Sequence, residues 1–372
     1  MAVLIVGAGP VGLALSLALR RQGIAARQVD KAPAPSPWSR ALGIQARTLE
    51  ALAPLGVAGP IEAAALRPKG VTFHLGGAAP GLDFTHRRHP GFPSMVILPQ
   101  AETERLLAEA LALAGAPPVE RGVELMALDP ASGAVRLRDP AGREETARYD
   151  AVLGCDGAHS AVRKLAGIPF EGAAYQDPFV LADGLVEGLA PRRLHMFPGI
   201  GSAGFVFPLP GGAWRVVAAL PKGSPIPAQD DIAPFQFPGM RFHDPFWWSV
   251  FGISHRLAAR YREGRAVLLG DAAHIHSPAG GQGMNLGIQD ACSLALALPK
   301  GDAALAAWAT ARRDVAGLVI RRSDAMTRMM LGASVPARLL RGLMLRVMPR
   351  LPPARRRFEA ALAGLDYPGF AG

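Results

Sequence analysis

The first thirty residues alternate between apolar runs and a glycine-rich turn. The run AVLIV, which ends at Val6, is apolar throughout, as is typical of a buried strand. It leads into the turn GAGPVG and then into LALSLALRRQG, whose apolar residues recur at helical spacing. The next segment, IAARQVD, is predicted to be a second strand that ends at Asp30. The pattern predicts a strand–helix–strand unit, and we do not expect the first run to be a signal peptide because no basic leader precedes it.

Later in the chain the apolar pattern changes twice. A loop and a helix are predicted from PSPWSRALGIQARTLEAL, a short strand around residues 71–75, and a strand followed by a helix from SMVILPQAETERLLAEALALAG. Two hairpins are expected within residues 123–148, before another strand–turn–helix in YDAVLGCDGAHSAVRKLAG. From residue 177 to about residue 250, alternating apolar residues and Gly-Pro turns indicate a sheet. A strand and turn return in GRAVLLGDAAH, and alanine-rich helices follow.

The composition adds a strong basic balance to this picture. The chain has 372 residues, half of them hydrophobic, which is enough for a large core. Its formal net charge is +10, and arginine supplies nearly all of the positive charge. We attribute the arginine mainly to genome base composition; the alternative is attraction of anionic partners such as nicotinamide phosphates. No stripe of interleaved aromatic and basic residues is present, so no nucleic-acid partner is expected.

The cysteines and the longest apolar runs indicate the cellular compartment in which the protein is expected. Cys155 and Cys292 cannot form a disulfide framework and have no zinc-ligand spacing, so we expect a reducing cytoplasm and no metal site. No uninterrupted apolar run reaches about 18 residues, so no membrane-spanning helix is expected. A monomer or a homodimer is expected.

The segment ARLLRGLMLRVMPRLPPARRR, at residues 337–357, is basic and amphipathic and contains no acidic residue. We favour a solvated helix that packs on its own domain. The alternative is a peripheral contact with a membrane surface or the quinone pool.

A glycine fingerprint follows the first predicted strand. Gly7, Gly9 and Gly12 have the spacing G-x-G-x-x-G. In such a turn the first glycine permits the bend, the second lets the backbone approach a pyrophosphate, and the third lets helix pack on strand. Asp30 ends the second strand, where a carboxylate can accept hydrogen bonds from ribose hydroxyls. The unit is predicted to bind a dinucleotide, and this pattern alone does not distinguish NAD from FAD.

Three ordered motifs carry a resemblance to one enzyme family. They are GAGPVG, CDGAHSAVRKLAG at residues 155–167, and GRAVLLGDAAHIHSPAGGQGMNLGIQDA at residues 264–291. They resemble the three fingerprints of the flavin-dependent aromatic hydroxylases, the p-hydroxybenzoate hydroxylase-like class A monooxygenases. The connecting segments SRALGIQARTLEAL and LPQAETERLL are also similar to that family, so the likeness extends over nearly the whole chain.

The resemblance implies an α/β fold with interleaved domains. A discontinuous Rossmann-like FAD-binding domain of the GR2 type would alternate with a β-sheet substrate domain, and helices would follow. The predicted limits are 1–75, 95–176 and 255–330 for the FAD-binding domain, 76–94 and 177–254 for the sheet domain, and 331–372 for the C-terminal helical segment.

The resemblance also implies which residues hold FAD. The first glycine turn would line the pyrophosphate, while Asp30 would bind the adenosine ribose, although many family members carry the longer glutamate there. Arg40 would reach the phosphates or ribose, and Gln100 would lie near the ribityl chain. Asp156 and Gly157 match a turn shared by FAD and the passing nicotinamide cofactor. The predicted FAD-binding residues are Gly7, Gly9, Pro10, Val11, Gly12, Asp30, Lys31, Arg40, Gln100, Asp156, Gly157, Gly270, Asp271, Pro278, Gly281, Gly283, Met284 and Asn285.

The turn GDAAHIHSPAGGQGMN, at residues 270–285, is predicted to hold the flavin ring. Asp271 follows a buried strand and would accept hydrogen bonds from the ribityl chain. Glycines then begin a helix whose first amides would point at the pyrimidine edge of the flavin, where negative charge appears on reduction. A helix end stabilises such charge by up to about 2 kcal/mol, which would lower the N1 pKa by on the order of one unit. His274 and His276 are predicted to pack and to form hydrogen bonds rather than to bind a metal.

The resemblance implies a monooxygenase. In that family NAD(P)H reduces FAD, dioxygen adds at flavin C4a, and the hydroperoxide transfers a hydroxyl group to an electron-rich ring. FAD is therefore the expected cofactor, NADPH or NADH the transient reductant, and O2 with an aromatic, quinol or polyketide-like small molecule the substrates. No catalytic acid, base or nucleophile is predicted, because the cofactor carries the chemistry.

Two alternatives to hydroxylation stay open from the motifs. One is an FAD-dependent reductase of the geranylgeranyl reductase type, and the other is a non-catalytic FAD protein that sequesters a small molecule. A halogenase is disfavoured because the sequence has no W-x-W-x-I-P segment.

The substrate pocket is expected between the flavin and the sheet of residues 177–250. Phe205 and Phe207 alternate by two and would share one face of a strand, although ordinary sheet core is an equal alternative. The candidates for the pocket wall are Phe197, Phe205, Phe207, Pro208 and Trp214.

Overall fold

The computed structural model describes residues 1–38, 41–84, 89–199, 202–228, 231–277, 281–332 and 334–369, with the backbone alone at 175–177. Within these residues the strands are β1 (Val3–Val6), β2 (Ala26–Asp30), β3 (Gly43–Gln45), β4 (Gly70–Phe73), β5 (Gly81–Asp83), β6 (Met95–Ile97), β7 (Glu120–Arg121), β8 (Glu124–Asp129), β9 (Ala134–Arg138), β10 (Glu144–Arg148), β11 (Ala151–Gly154), β12 (Phe170–Glu187), β13 (Arg193–Pro198), β14 (Ala203–Pro208), β15 (Trp214–Ala219), β16 (Arg241–Ala258), β17 (Arg262–Glu263), β18 (Ala266–Leu268) and β19 (His274–Ile275). The helices are α1 (Pro10–Arg21), α2 (Ala46–Leu52), α3 (Ala58–Ala64), α4 (Gln100–Leu113), α5 (Ala161–Leu165), α6 (Gly283–Ala297), α7 (Asp302–Leu331), α8 (Val335–Val347) and α9 (Pro352–Leu362).

The first sheet has six strands in the order β17-β18-β11-β1-β2-β7. β1 pairs in parallel with β2 and with β11, and β11 pairs in parallel with β18. This confirms the predicted strand–helix–strand unit and the α/β fold. Because the carboxyl ends of parallel strands meet at one edge, the turns after β1, β11 and β18 lie side by side, and these turns carry the three sequence motifs.

Two helices begin at this edge and pack closely against each other. A Cβ atom on Gly287 of α6 would lie 2.6 Å from Cγ2 of Val11 in α1 and 3.0 Å from Cα of Gly270. Glycine at position 287 is therefore required for α6 to pass over the start of α1. The contact holds the N-termini of both helices beside the same turns.

The second sheet has eight strands in the order β19-β16-β12-β15-β14-β13-β4-β5. β4 joins it through parallel pairing with β13, in which Gly70 lies opposite Arg193. Residues 70–73 thus belong to this sheet, whereas the sequence analysis assigned them to the cofactor-binding segment 1–75. The first half of β12, from residue 170, also pairs within this sheet, with β16. Apolar alternation does not tell which sheet a strand will join, so these limits could not be found from the pattern.

The two faces of the eight-stranded sheet pack on different parts of the molecule. One face, which includes Val206 and Val216, is covered by Phe235 and Phe237. The other face, which includes Val217 and Ile253, packs against Leu331 at the end of α7. We call the second one the α7 face.

Smaller elements complete the fold. β8, β9 and β10 form the expected pair of hairpins as a three-stranded sheet, and β3 pairs with β6. α7, α8 and α9 form the predicted run of helices near the end of the chain. In the described ranges, we find no helix that combines the length and the apolar character needed to cross a bilayer.

Candidate cofactor and substrate site

The glycine turn after β1 contains two glycines that the fold itself requires. A Cβ atom on Gly7, whose φ is +108°, would lie 2.3 Å from the carbonyl oxygen of Cys155. A Cβ atom on Gly12 would lie 2.1 Å from the carbonyl oxygen of Gly7. Both glycines let β1, β11 and α1 approach closely, as the fingerprint predicts.

Gly9 differs from these two because the described protein atoms leave room for a side chain. The nearest atom to its Cβ position is Oε1 of Glu104, at 4.0 Å. Gly9 is the residue before α1, whose first turn contains Pro10 and no acidic residue. The first amides of a helix have no intrahelical partner and attract an anion. Open space at a bare backbone is what a pyrophosphate would need there.

Asp30 links this turn to the end of β2. Its Oδ2 accepts a hydrogen bond from the amide of Ala8 at 2.6 Å, and its Oδ1 accepts one from the amide of Ala32 at 2.8 Å. Nη1 of Arg121 lies 3.6 Å from Oδ2. A carboxylate oxygen can accept more than one hydrogen bond, so the group keeps capacity for a ribose hydroxyl. The neighbouring Lys31 is exposed.

Glu104 is a part of this region that the sequence analysis missed. Its Oε1 accepts a hydrogen bond from Nε2 of Gln100 at 2.7 Å, one turn earlier on α4. Burial raises the pKa of its carboxyl group, while the bond from Gln100 and the charge of Arg121 oppose that rise. The spacing i, i+4 from Gln100 was the available signal, since such residues share one helix face. Glu104 borders the opening beside Gly9, and its hydrogen bond holds Gln100 next to it.

The carboxylate of Asp156 already accepts hydrogen bonds from neighbouring groups of the protein. It accepts hydrogen bonds from Oγ of Ser160 at 2.5 Å and from the amides of Ala161 and Val162 at 2.6 and 3.1 Å. These contacts close the turn that begins α5, and burial raises the pKa of the Asp156 carboxyl group. Gly157 follows with φ +76°, and its neighbours in the chain apart, no atom of the described residues lies within 4 Å of its Cβ position. A role of this turn toward a passing nicotinamide stays a prediction.

The turn after β18 holds the expected acid at the surface. Gly270, with φ +58°, lies against Val11, and the following Asp271 is exposed. Arg40 and Pro278, both predicted to contact FAD, lie outside the described residues.

The N-terminus of α6 lies in the same turn region. Gly281 has φ +63°, with no other described atom within 4 Å of its Cβ position, and the first turn of α6, from Gly283, contains no acidic residue. Met284 is buried. The first turn of α6 therefore contributes no carboxylate of its own that would compete with a developing negative charge at this helix end.

Asn285 has a structural role that the motif did not reveal. Its Oδ1 accepts from the amide of Gln45 at 2.9 Å, and its Nδ2 donates to the carbonyls of Gly43 and Gly281 at 2.8 and 2.6 Å. The side chain is completely buried. It therefore fixes β3 against the start of α6, and all three contacts are made to backbone groups of the protein.

His274 and His276 pack as predicted. Nε2 of His274 lies 3.1 Å from Oδ2 of Asp290, and Oδ1 of Asp290 accepts from Nε of Arg312 at 2.5 Å. The rings of His274 and His276 are parallel, with centroids 6.0 Å apart. Burial lowers the pKa of His276 to about 4, so its ring is neutral at neutral pH. The group ties the turn that begins at Gly270, which we call the flavin-edge turn, to α6 and α7.

The predicted pocket residues divide between the two faces of the eight-stranded sheet. Phe205 and Phe207 share the α7 face, as their spacing predicts. Phe197 and Trp214 are buried on the opposite face, where Phe197 stacks on Phe237 with ring centroids 4.9 Å apart. Pro208 lies opposite Trp214 in the pairing of β14 with β15. The five residues therefore do not line one common cavity wall.

The α7 face also carries a buried ion pair that the sequence analysis missed. Nε and Nη2 of Arg215 donate to the two carboxylate oxygens of Asp183, each at 2.8 Å. The guanidinium carbon of Arg215 lies 4.8 Å from the ring centroid of Trp247, and Trp247 stacks on Trp38 at 5.6 Å. Trp38 belongs to the loop after β2, so this cluster joins the cofactor-side loop to the sheet. β12 and β15 are far apart in sequence, and no local pattern signals the pairing.

These features fit a dinucleotide that ends in a flavin. The open backbone at Gly9 suits a pyrophosphate, Asp30 suits a ribose, and the acid-free N-terminus of α6 suits the electron-accepting edge of the ring. The turns that carry all three lie at one edge of the first sheet.

Comparison with known proteins agrees with this assignment. The family model described as "FAD binding domain" matches residues 1–197 and 238–323. The chain is 33% identical to pentachlorophenol 4-monooxygenase of Sphingobium chlorophenolicum, over 89% of this chain and 65% of that protein. It is 34% identical to 6-methylpretetramide 4-monooxygenase of Streptomyces rimosus, over 98% of this chain and 69% of that protein. The chain thus spans about two thirds of the length of these relatives.

A solved structure shows the same fold. The crystal structure of p-nitrophenol 4-monooxygenase PnpA from Pseudomonas putida DLL-E4 superposes with a TM-score of 0.87 and 22% identity, covering 100% of this chain and 98% of that one. With the family match, the relatives and the geometry of the three turns, the chain belongs to the FAD-binding class A flavoprotein monooxygenases.

Proposed function

We propose that the protein is an FAD-dependent monooxygenase that uses NADPH or NADH and O2 to hydroxylate an aromatic or polycyclic small molecule. The observation that carries the proposal is the pairing of β19 with β16, in which His274 lies opposite Leu257. Through this pairing, the turn that would hold the flavin edge is part of the sheet that would hold the substrate. The α7 face is the one we propose for the substrate ring, because Trp247 of this face stacks on Trp38 of the loop after β2.

The relatives support the class of substrate. One is named for pentachlorophenol, a phenol, and the other for 6-methylpretetramide, a polycyclic compound. Phe205, Phe207 and Phe251 give the α7 face an aromatic surface that suits a flat ring. A phenol or a fused polycyclic phenol is the substrate class that we propose.

Bound FAD would take a hydride from NAD(P)H and supply the activated oxygen. The protein's own residues bind and position the parts of the cofactor. Gly7, Gly9 and Gly12 form the pyrophosphate turn, Asp30 binds the ribose, and Asp271 binds the ribityl chain. Arg40, Gln100, Asp156 and Pro278 remain predicted FAD contacts.

Two further tasks fall to the start of α6 and to the α7 face of the sheet. The N-terminal amides of α6 stabilise negative charge at the edge of the bound ring, since a helix start carries a partial positive charge. The aromatic side chains of the α7 face would exclude water, which matters because water shortens the life of the activated oxygen. No acid–base dyad is required of the protein.

A reducing, cytoplasmic setting is part of the proposal. Cys155 and Cys292 are both free thiols. Burial raises the pKa of Cys292 to about 12 and that of Cys155 well above its usual value, so neither thiol is a nucleophile at neutral pH.

The test is a visible spectrum of the purified protein, followed by NADPH and NADH oxidation in air with a panel of phenols, quinols and tetracyclines. We expect a flavin spectrum, oxidation stimulated by one ring class, and a product heavier by one oxygen atom. Turnover that does not need oxygen would instead assign a reductase. A yellow protein with no stimulated oxidation would assign a sequestering protein, and a colourless protein unable to take up FAD would contradict both.

A further inference from the structure

Helix α8 is anchored to the protein by one of its faces. Leu345 is buried, and so is Arg341, whose Nη1 donates to the carbonyl of Met330 and whose Nη2 donates to the carbonyl of Gly199, each at 2.6 Å. These hydrogen bonds fix α8 to the last turn of α7 and to Gly199, the residue that follows β13. The orientation of α8 about its own axis is therefore set.

The opposite face of α8 is apolar and exposed. Val335, Leu339, Leu343 and Val347 are four residues apart and form one row along the helix. Their exposed fractions are 63%, 70%, 61% and 36%, and Leu340 beside them is 68% exposed. We call these five residues the outward stripe. Single exposed leucines are ordinary on protein surfaces, but a contiguous row indicates a partner.

The surroundings of the outward stripe are strongly basic. Arg338, Arg346 and Arg350 are exposed beside it, and Arg356 and Arg357 are exposed in α9. The sequence contains no acidic residue from position 325 to position 358. An apolar row between arginines is the pattern of a helix that lies in the interface of an anionic membrane.

The arginines beside the outward stripe favour an anionic membrane over a second copy of the chain or a nucleic acid as the partner. A second copy of the chain would meet the stripe through a two-fold axis, which brings the same arginines of both copies together. That arrangement is repulsive, since residues 325–358 of either copy contain no acid that could pair with them. A nucleic acid would match the arginines but would leave the leucines exposed to water. An anionic bilayer satisfies both parts, because leucines enter the acyl boundary while arginines meet lipid phosphates.

We propose that α8 docks the protein on the surface of an anionic lipid bilayer through the outward stripe. The helix has 13 residues, about 20 Å in length, and would lie flat in the interface. Arg338, Arg346 and Arg350 would contact lipid phosphates on its flank. The proposal does not depend on the reaction that the enzyme catalyses, so each can fail without the other.

The experiment is co-sedimentation of the FAD-loaded protein with vesicles of phosphatidylcholine alone or of phosphatidylcholine mixed with phosphatidylglycerol. We expect binding to the mixed vesicles, weakening as salt is added. Leu339→Asp should reduce the partition coefficient at least about tenfold, because it removes one leucine that would enter the bilayer and adds a negative charge. The matched control is Leu113→Asp, since Leu113 is 90% exposed at the end of α4 and makes the same change of charge.

Two measurements keep the result interpretable. FAD content and unfolding temperature should be the same in both variants, because both leucines are exposed. Light scattering without vesicles tests for a dimer. Absence of binding, equal loss in Leu113→Asp, or a dimer that Leu339→Asp dissociates would each overturn the proposal.

Discussion

Oδ2 of Asp290 lies 3.1 Å from Nε2 of His274, and neither side chain is exposed to solvent. A carboxylate accepts hydrogen bonds, so Nε2 of His274 carries the proton. Asp290 also pairs with the buried Arg312. One acid on α6 therefore neutralises a charge on α7 and holds β19, the strand that joins the two halves of the site.

We expect Asp290→Asn to destabilise the protein by about 3–5 kcal/mol, because it leaves the guanidinium of Arg312 buried without a counter-charge. Urea unfolding measures the change. The control is Asp302→Asn, which removes an ion pair with Arg262 at a position that is 82% exposed. The control should leave the midpoint nearly unchanged, since water screens exposed pairs. Equal effects of both substitutions would contradict the structural role of Asp290.

Gly9→Ala should separate cofactor binding from folding. Its Cβ has room among the described protein atoms, so the FAD-free protein should unfold at the same temperature as the parent. The added methyl group stands where a pyrophosphate approaches the backbone, and FAD affinity should fall at least about tenfold. Titration of FAD followed by fluorescence measures this.

Two other glycine substitutions control for folding effects in that experiment. Gly59→Ala, in α3 with no other described atom within 4 Å of the added Cβ, should leave FAD affinity unchanged and raise stability by up to about 1 kcal/mol, because alanine is the better helix former. Gly12→Ala should fail to fold, because its Cβ would lie 2.1 Å from the carbonyl oxygen of Gly7. Unchanged FAD affinity in Gly9→Ala would place the phosphate elsewhere.

Asp271→Ala should purify largely without yellow colour. The exposed carboxylate follows β18 at the edge where the three turns meet, and it is the proposed acceptor for the ribityl hydroxyls. The ratio of flavin absorbance to protein absorbance measures the loss. Asp302→Ala, an exposed acid at the start of α7, should retain the parent ratio. Full FAD content in Asp271→Ala would remove this residue from the site.

Phe205 and Phe197 test which sheet face holds the substrate. Phe205→Ala, on the α7 face, should raise KM for the ring substrate about fivefold, because it removes about 1 kcal/mol of apolar contact. Phe197→Ala, on the opposite face, should lower the free energy of unfolding by about 3–5 kcal/mol and leave KM unchanged. The reverse pattern would move the pocket to the other face.

The sequence predicted the parts of this molecule that depend on neighbouring residues. The strand–turn–helix units and the glycines Gly7 and Gly12 follow from turn geometry and apolar spacing within a few residues. The contacts of Asn285 with Gly43 and Gln45 span more than 200 positions, and no local pattern signals them. The sequence also could not predict that Phe197 and Phe205 lie on opposite faces of the sheet, since this depends on how β13 and β14 pair.

His276 should make the stability of the protein depend on pH. Its ring lies parallel to that of His274, and His274 lies beside Asp290. Its Nδ1 donates to the carbonyl of Ser277 at 3.1 Å, while Nε2 is buried without a partner among the described residues. Burial and the neighbouring His274 lower its pKa from 6.5 to about 4. Between these two values the unfolded chain binds a proton that the folded chain does not.

His276 therefore has no effect on the pH dependence of stability above about pH 6.5. As the pH falls from about 6.5 to about 4, it lowers the free energy of unfolding. The loss amounts to about 3 kcal/mol at most, because the pKa of His276 falls from 6.5 to about 4 on folding. Urea unfolding at about pH 5 and about pH 7.5, with the same excess of FAD, should give a smaller difference in His276→Phe than in the parent. His159→Phe, at an exposed position, should keep the parent's difference. If His276→Phe retains the full dependence on pH, another group carries it and the His276 ring is not the buried neutral base that this packing requires.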